Sequence, residues 1–276
     1  TAKMTLTGGD LVSTTYNGIP FFTDGTSMYT HNVSGNTGYN TATGNTAYGF
    51  TAMDAITTGD NNTAIGYTAG SAINTGLRNT FVGHQSGLTT DSGIRNTALG
   101  ASSLKLNVQG DKNVAVGTFA LEDFVADTDG HGENTAVGYA ALAEATSGTN
   151  NTAVGSSAMG SAQVTGNLNT AMGYLAGALI TSGAQNTMIG GTAGDALTEG
   201  DFNVAVGYGS LSAAFAGNNT TAVGYKALNV QQHASAAGQD FDNVAVGFEA
   251  GKSITTGSNT TIVGAKAGGA LISPSN

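Results

Sequence analysis

Apolar and polar positions along this chain fall into one phrase, written thirteen times: Asn, then Thr or Val, then Ala, then an aliphatic residue, then Gly. The closing glycines are Gly49, Gly66, Gly83, Gly100, Gly117, Gly138, Gly155, Gly173, Gly190, Gly207, Gly224, Gly247 and Gly264. Nine of the twelve intervals between them are 17 residues; the others are 21, 18 and 23. A fixed period in this range is the signature of a stacked-repeat architecture, in which each coil buries its apolar face against the next. A β-branched run bounded by Asn and Gly reads as a short strand. The pattern therefore predicts an all-β repeat β-solenoid of about thirteen coils, with one short parallel strand per coil. At about 4.8 Å per coil it would build a rod roughly 60 Å long.

The columns of this alignment carry the packing argument. The residue before the glycine is aliphatic in twelve coils (Ile65, Val82, Leu99 and Val116 among them), with Tyr48 the exception. One place earlier stands Ala, or Phe81, Met188 or Ile262. Neighbouring strand residues point to opposite faces. Assigning the aliphatic column to the coil interior turns the Ala column outward. Every member of that outward column is apolar, and a strand apolar on both faces is buried on both. One face is expected to pack inside the coil and the other against neighbouring chains, which predicts an oligomer.

Three residues past each glycine only Ala or Ser occurs, so bulk is excluded where backbones crowd. Next comes either Gly (Gly70, Gly87, Gly177, Gly194, Gly251, Gly268) or Leu/Met, and glycines at a fixed offset mark turns that need positive φ or a close backbone approach. A structural Asn column runs through Asn62, Asn79, Asn96, Asn113, Asn134, Asn151, Asn169, Asn186, Asn203 and Asn243, with Asn45 before it. Stacked side chains of this kind can form a hydrogen-bonded ladder while capping a turn. Thr220 and Thr260 replace Asn in two coils, where the ladder is expected to shift or break.

Composition narrows the function. Charged residues are 9% of the 276, and 18 acidic residues against 8 basic ones give a net charge of −10. Nucleic-acid binding needs basic patches, and an anionic membrane surface attracts them, so neither is an expected partner. No apolar run is long enough to span a membrane. There are no cysteines, so there is no disulfide framework.

Phrases such as Asn62-Thr63-Ala64-Ile65-Gly66-Tyr67 and Asn243-Val244-Ala245-Val246-Gly247-Phe248 resemble the head repeats of trimeric autotransporter adhesins and repeats of bacteriophage tail fibres. The resemblance covers roughly residues 45–270. It implies a left-handed parallel β-roll, three chains side by side as a homotrimeric rod, and attachment to a host receptor or glycan without catalysis. The chain departs from the adhesin pattern in its longer coil, in the aromatic that often follows the glycine (Phe50, Tyr67, Tyr139, Tyr174, Tyr208, Tyr225, Phe248), and in having no heptad stalk or anchoring barrel. These departures favour a fibre shaft or receptor-binding rod of a phage-type virion appendage over the head of a bacterial surface adhesin.

Residues 1–44 lack the period and read as an N-terminal cap or attachment segment, 45–270 as the repeat domain, and 271–276 as a C-terminal tail. Other fibre segments are candidate partners at either end. Two coils carry insertions, and extra residues in a solenoid loop outward, often on the binding face. The first holds Glu122, Asp127, Asp129, His131 and Glu133. Asp127-Thr128-Asp129-Gly130 resembles the start of a calcium loop, so Asp127, Asp129 and Glu133 are the candidate ligands of a cation; the remaining ligands of such a loop are missing, and a solvated acidic loop is the competing reading. The second insertion holds Gln231, Gln232, His233 and Phe241. With Glu122, Asp127 and His131 these are the candidate receptor-contact residues.

Apparent enzyme motifs dissolve into the repeat. Gly247 to Ser253 is one residue short of a P-loop, and its glycines belong to the period. The four histidines have no metal-ligand spacing, and no serine sits in a nucleophile elbow. The expectation is a non-enzymatic attachment protein with no resident cofactor. Two other classes compete: a structural filament subunit, and an ice-binding solenoid suggested by the Thr column. Against the latter, Val114, Val204 and Val244 interrupt the column, and the Thr residues share the face assigned to the core.

Overall fold

A computed structural model describes residues 22–23, 28–29, 41–126, 132–213, 216–231 and 239–271. Among these there is no helix; the chain is a parallel β-solenoid with a spacing of about 17 residues per turn. It divides into two compact units, Thr1–Gly132 and Glu133–Asn276.

The first unit holds β1 (Phe22–Thr23), β2 (Met28–Tyr29), β3 (Thr46–Tyr48), β4 (Thr63–Ile65), β5 (Thr80–Val82), β6 (Thr97–Leu99) and β7 (Val114–Val116). β1 and β2 are antiparallel, and β2 then lies parallel to β3, pairing Met28 with Thr46 and Tyr29 with Ala47. The edge of the first phrase strand is thus covered, as a solenoid end requires. From β3 to β7 each strand pairs in parallel with the next, phrase residue on phrase residue, as in Ala47 on Ala64.

The second unit holds β8 (Thr135–Val137), β9 (Thr152–Val154), β10 (Thr170–Met172), β11 (Thr187–Ile189), β12 (Val204–Val206), β13 (Gly217–Asn218), β14 (Thr221–Val223), β15 (Gln239–Asp240), β16 (Val244–Val246) and β17 (Thr261–Val263). The eight phrase strands stack in the same register, and β13 pairs with β15 as a second short ladder. The second insertion leaves this stacking intact, since β14 pairs directly with β16.

The facing of the strands is the reverse of the sequence expectation. The Ala column points into the coil: Ala47, Ala64, Ala98, Ala115, Ala136, Ala153, Ala171, Ala205, Ala222 and Ala245 have no exposed surface. The Thr and aliphatic columns flank it on the outside. The reason is volume. The large side chains of the interior come mostly from outside the strand, among them Leu104, Leu121, Met159, Ile73 and Phe124, and they leave room for only a methyl group on most strands.

The three large members of that column confirm the geometry by their neighbours. Phe81, Met188 and Ile262 are also buried. Each lies between two of the glycines four places past the closing glycine. A Cβ on Gly70 or Gly87 would come within 2.9 or 2.6 Å of the Phe81 ring. A Cβ on Gly177 or Gly194 would meet Met188, and one on Gly251 or Gly268 would meet Ile262. In seven of the ten coils whose strand residue is Ala, the same place carries a Leu or Met, such as the buried Leu104, Leu121, Leu142 and Met159 at φ 46–50. The other three, with Gly70, Gly177 and Gly251 at that place, precede the coils of Phe81, Met188 and Ile262, whose side chains reach over those glycines. Volume is thus exchanged between the two columns within a coil or with the next one, as a close-packed core requires. A further column, unremarked in the sequence, completes the core with Ile56, Ile73, Phe124, Ile180, Leu197 and Ile254.

Corners are made by left-handed backbone. The residue before each Asn, from Asn61 to Asn259, has φ between 52 and 61°. The closing glycines have φ of 125–144°. At Gly66 a Cβ would stand 2.4 Å from the Gly83 carbonyl oxygen of the next coil, so no other residue fits.

The Asn ladder forms. Within each unit the buried carboxamide oxygens accept the backbone N–H of the next Asn, at 2.8 Å from Asn62 to Asn45 and 2.9 Å from Asn151 to Asn134. Side-chain amides donate to glycine carbonyls on the adjoining coil, such as Asn62 to Gly76 and Asn151 to Gly166, both at 2.8 Å. Thr220 and Thr260 still donate their N–H to Asn203 and Asn243. Their hydroxyls turn back to Asn218 and Ser258 carbonyls, so the carboxamide relay ends there.

Candidate interaction face

Reversing the strands changes what the molecule shows to its surroundings. The outward face of each phrase strand presents Thr or Val, then an aliphatic side chain, then past the closing glycine an aromatic or small residue. Ile65, Leu99, Met172, Ile189 and Val246 are 37–46% exposed, and Val263 is 69% exposed. Scattered exposed apolar residues are ordinary; a contiguous apolar stripe repeated coil after coil marks an interaction surface. None of the residues in the Thr and aliphatic columns is charged, although the chain carries a net charge of −10.

Aromatic ladders border this face. In the first unit Phe50 stacks on Tyr67 and Tyr67 on His84, with ring centroids 5.8 and 5.5 Å apart. In the second, Tyr208, Tyr225 and Phe248 stack at 5.7 and 5.2 Å. The one-coil spacing of parallel strands sets these separations, and offset stacking is the favoured geometry for such rings. Lys226 lies over the Tyr225 ring at 5.4 Å and Lys266 over Phe248 at 6.0 Å, within cation–π range. Beside them Lys252 donates to Glu249 at 2.8 Å, and that hydrogen bond holds the Glu249 carboxyl below its ordinary pKa of 4.5. Lys252, the lysine of the P-loop-like string, is thus engaged in a surface ion pair.

The other border is the left-handed residue before each Asn. Ten of the twelve non-glycine occupants are polar or charged, and Arg78, Arg95 and Lys112 follow one another on successive coils of the first unit. The exceptions are Leu168 and Phe202, which the sequence reading passed over. The available signal was that both are apolar in a polar column.

The loop residues expected to meet a receptor divide. Asp127, Asp129, His131, Gln232 and His233 lie outside the described residues. Glu122 is half-buried and pairs with Lys105 at 3.2 Å across one coil. Glu133 is exposed at the entry to β8, at φ 57°. Among the described residues no three His, Asp or Glu side chains are grouped to hold a metal ion. Gln231 and Phe241 contradict the expectation of surface contact: both are buried, Gln231 completely and Phe241 to 2% exposure. Phe241 fills the space over Gly217, where a Cβ would overlap its ring. Gln231 occupies the same interior column as Ile254, and among the described residues its side-chain amide has no hydrogen-bond partner.

No protein-family model matches the chain, and neither a curated protein nor a solved structure matches it. The likeness to adhesin heads and tail fibres therefore rests on the repeat phrases alone.

Proposed function

We propose that this chain is a structural attachment protein that works as an assembly of identical copies, a homotrimeric fibre shaft or receptor-binding rod of a tail-fibre-like appendage, presenting its loops to a host-cell surface. The observation that carries the reading is the outward aliphatic column. In a single chain it leaves one apolar side chain per coil in water, at roughly 25 cal/mol for each Å² left unburied. Packing that column against copies of itself removes the cost on every coil. The repeat phrases support the same arrangement, and they equally suit the head of a bacterial trimeric adhesin.

Disulfide trapping tests the assembly. The chain has no cysteine, so Val206→Cys introduces a single thiol on the outward face. Oxidation should give covalently linked chains, whereas Asp195→Cys, outside the outward columns, should not. Monomeric product from both variants would refute the reading. A glycan array probed with the labelled protein tests attachment separately; no signal there would leave a shaft without receptor binding.

A second reading gains from the reversal of the strands. The Thr column is outward beside the aliphatic one, so burial no longer counts against an ice-binding face. The irregular bulk of the aliphatic column, which ranges from Val to Tyr48, Leu99 and Met172, weighs against the flat lattice match such a face needs. Thermal hysteresis in a freezing assay would favour it over assembly.

A further inference from the structure

Leu168 and Phe202 combine two unfavourable features, although their N–H groups are bonded to the Thr149 and Ala184 carbonyls at 3.1 Å. Each has left-handed backbone, at φ 61 and 60°. In that region the side chain of any residue but glycine crowds its own carbonyl, and Asn and Asp tolerate it best. Each is also 54–55% exposed. Among the described residues they are the only exposed large apolar side chains at positive φ. Leu104, Leu142 and Met159, also left-handed, are fully buried, so the coil core compensates for their conformation, and left-handed Phe119 and Leu175 are half-buried. The same border column carries Asn at 61, 150, 219 and 259, the residue that the backbone there prefers.

Both anomalies sit at the margin of the outward face in the second unit. On the coil of β12 that face reads Phe202, Val204, Val206, Tyr208, apolar from border to border. The eight phrase strands of this unit, at about 4.8 Å each, give a face roughly 38 Å long. The three strand residues of each coil, at about 3.3 Å each, make its flat part roughly 10 Å wide between the two corners. The product, about 380 Å², is half of the ~800 Å² per partner that a stable protein interface buries, so the border columns that hold Leu168 and Phe202 must contribute to any stable contact. A partner matching apolar columns over eight coils must share their repeat, and a second copy of this chain does. The outward columns carry no charge to repel their own image.

We propose that Leu168 and Phe202 are interface anchors, packing against the outward face of a neighbouring copy. The inference rests on the assembly proposed above. It predicts a reversal of sign: Leu168→Asn/Phe202→Asn should ease the backbone of the single chain while weakening association.

The test uses the full chain. Light scattering over a dilution series gives the association constant, and denaturant unfolding below the dissociation range gives the stability of the separated chain. The double Asn variant should associate at least 100-fold more weakly and unfold at an equal or higher denaturant midpoint. Leu168→Met/Phe202→Tyr should keep wild-type association. If the wild type is monomeric at every concentration, the assembly proposal falls and this one with it. If the wild type assembles and the Asn variant assembles equally well, only the anchor assignment is overturned. A variant that fails to fold would assign the two side chains to their own chain's stability and would also overturn it.

Discussion

The pairing of Phe81 with Gly70 and Gly87 makes a test of the core in which one destabilising change should correct another. Phe81→Ala removes a fully buried ring and leaves a cavity that two flanking glycines cannot fill. Such truncations cost about 3–5 kcal/mol. Gly87→Leu alone is also destabilising, because its Cβ would stand 2.6 Å from the ring, and overpacking of this kind costs about 1–3 kcal/mol. The double variant, Phe81→Ala/Gly87→Leu, recreates the combination that other coils use, such as Ala98 with Leu104. Its Leu would adopt φ near 60°, close to the 50° of Leu104. The two changes should therefore couple favourably by about 2–3 kcal/mol, near the upper end for residues in contact. Denaturant unfolding followed by far-UV circular dichroism, at fixed protein concentration, measures the cycle. Additive losses, with the double variant worse than either single one, would refute volume exchange between the two columns.

Two further changes probe the ladder and the facing. Asn151→Ala deletes the buried acceptor for the Asn169 N–H at 2.9 Å and the donor to the Gly166 carbonyl at 2.8 Å; leaving those groups unpaired should cost about 2–4 kcal/mol in a chemical melt, whereas Asn151→Thr, the natural variation of Thr220, should cost less. Ala153→Asp places a charge inside the coil and should abolish the β-sheet circular dichroism signal. Val154→Asp, one residue on but outward, should keep that signal and lower the association measured by sedimentation. Equal loss of structure in both would mean that the strand faces are not distinguished as described.

The period, the strands, the Asn ladder and the small column were legible because each is a residue type at a fixed offset, and backbone crowding dictates the type. The strand facing was not. A three-residue strand such as Thr152-Ala153-Val154 offers too little alternation, and size misleads there, because the large core side chains come from outside the strand, such as Met159 and Val164. The deciding signal is the coincidence of Phe81, Met188 and Ile262 with flanking glycines, which makes sense only if all of them share one interior. In the second insertion, amides and an aromatic in a polar stretch read as a contact loop. Sequence does not show where an interrupted coil resumes, so the burial of Gln231 and Phe241 was hidden. Leu168 and Phe202 are visible in the sequence as apolar residues in a polar column, but the left-handed backbone that makes them costly there is not.

The central claim is that the outward Thr and aliphatic columns are covered by copies of the same chain. The native mass in solution, measured by light scattering beside a denatured control, tests it most directly. The account predicts three times the 27.2 kDa chain mass, about 82 kDa. A mass of 27.2 kDa at all concentrations would leave the apolar face open to water and contradict it.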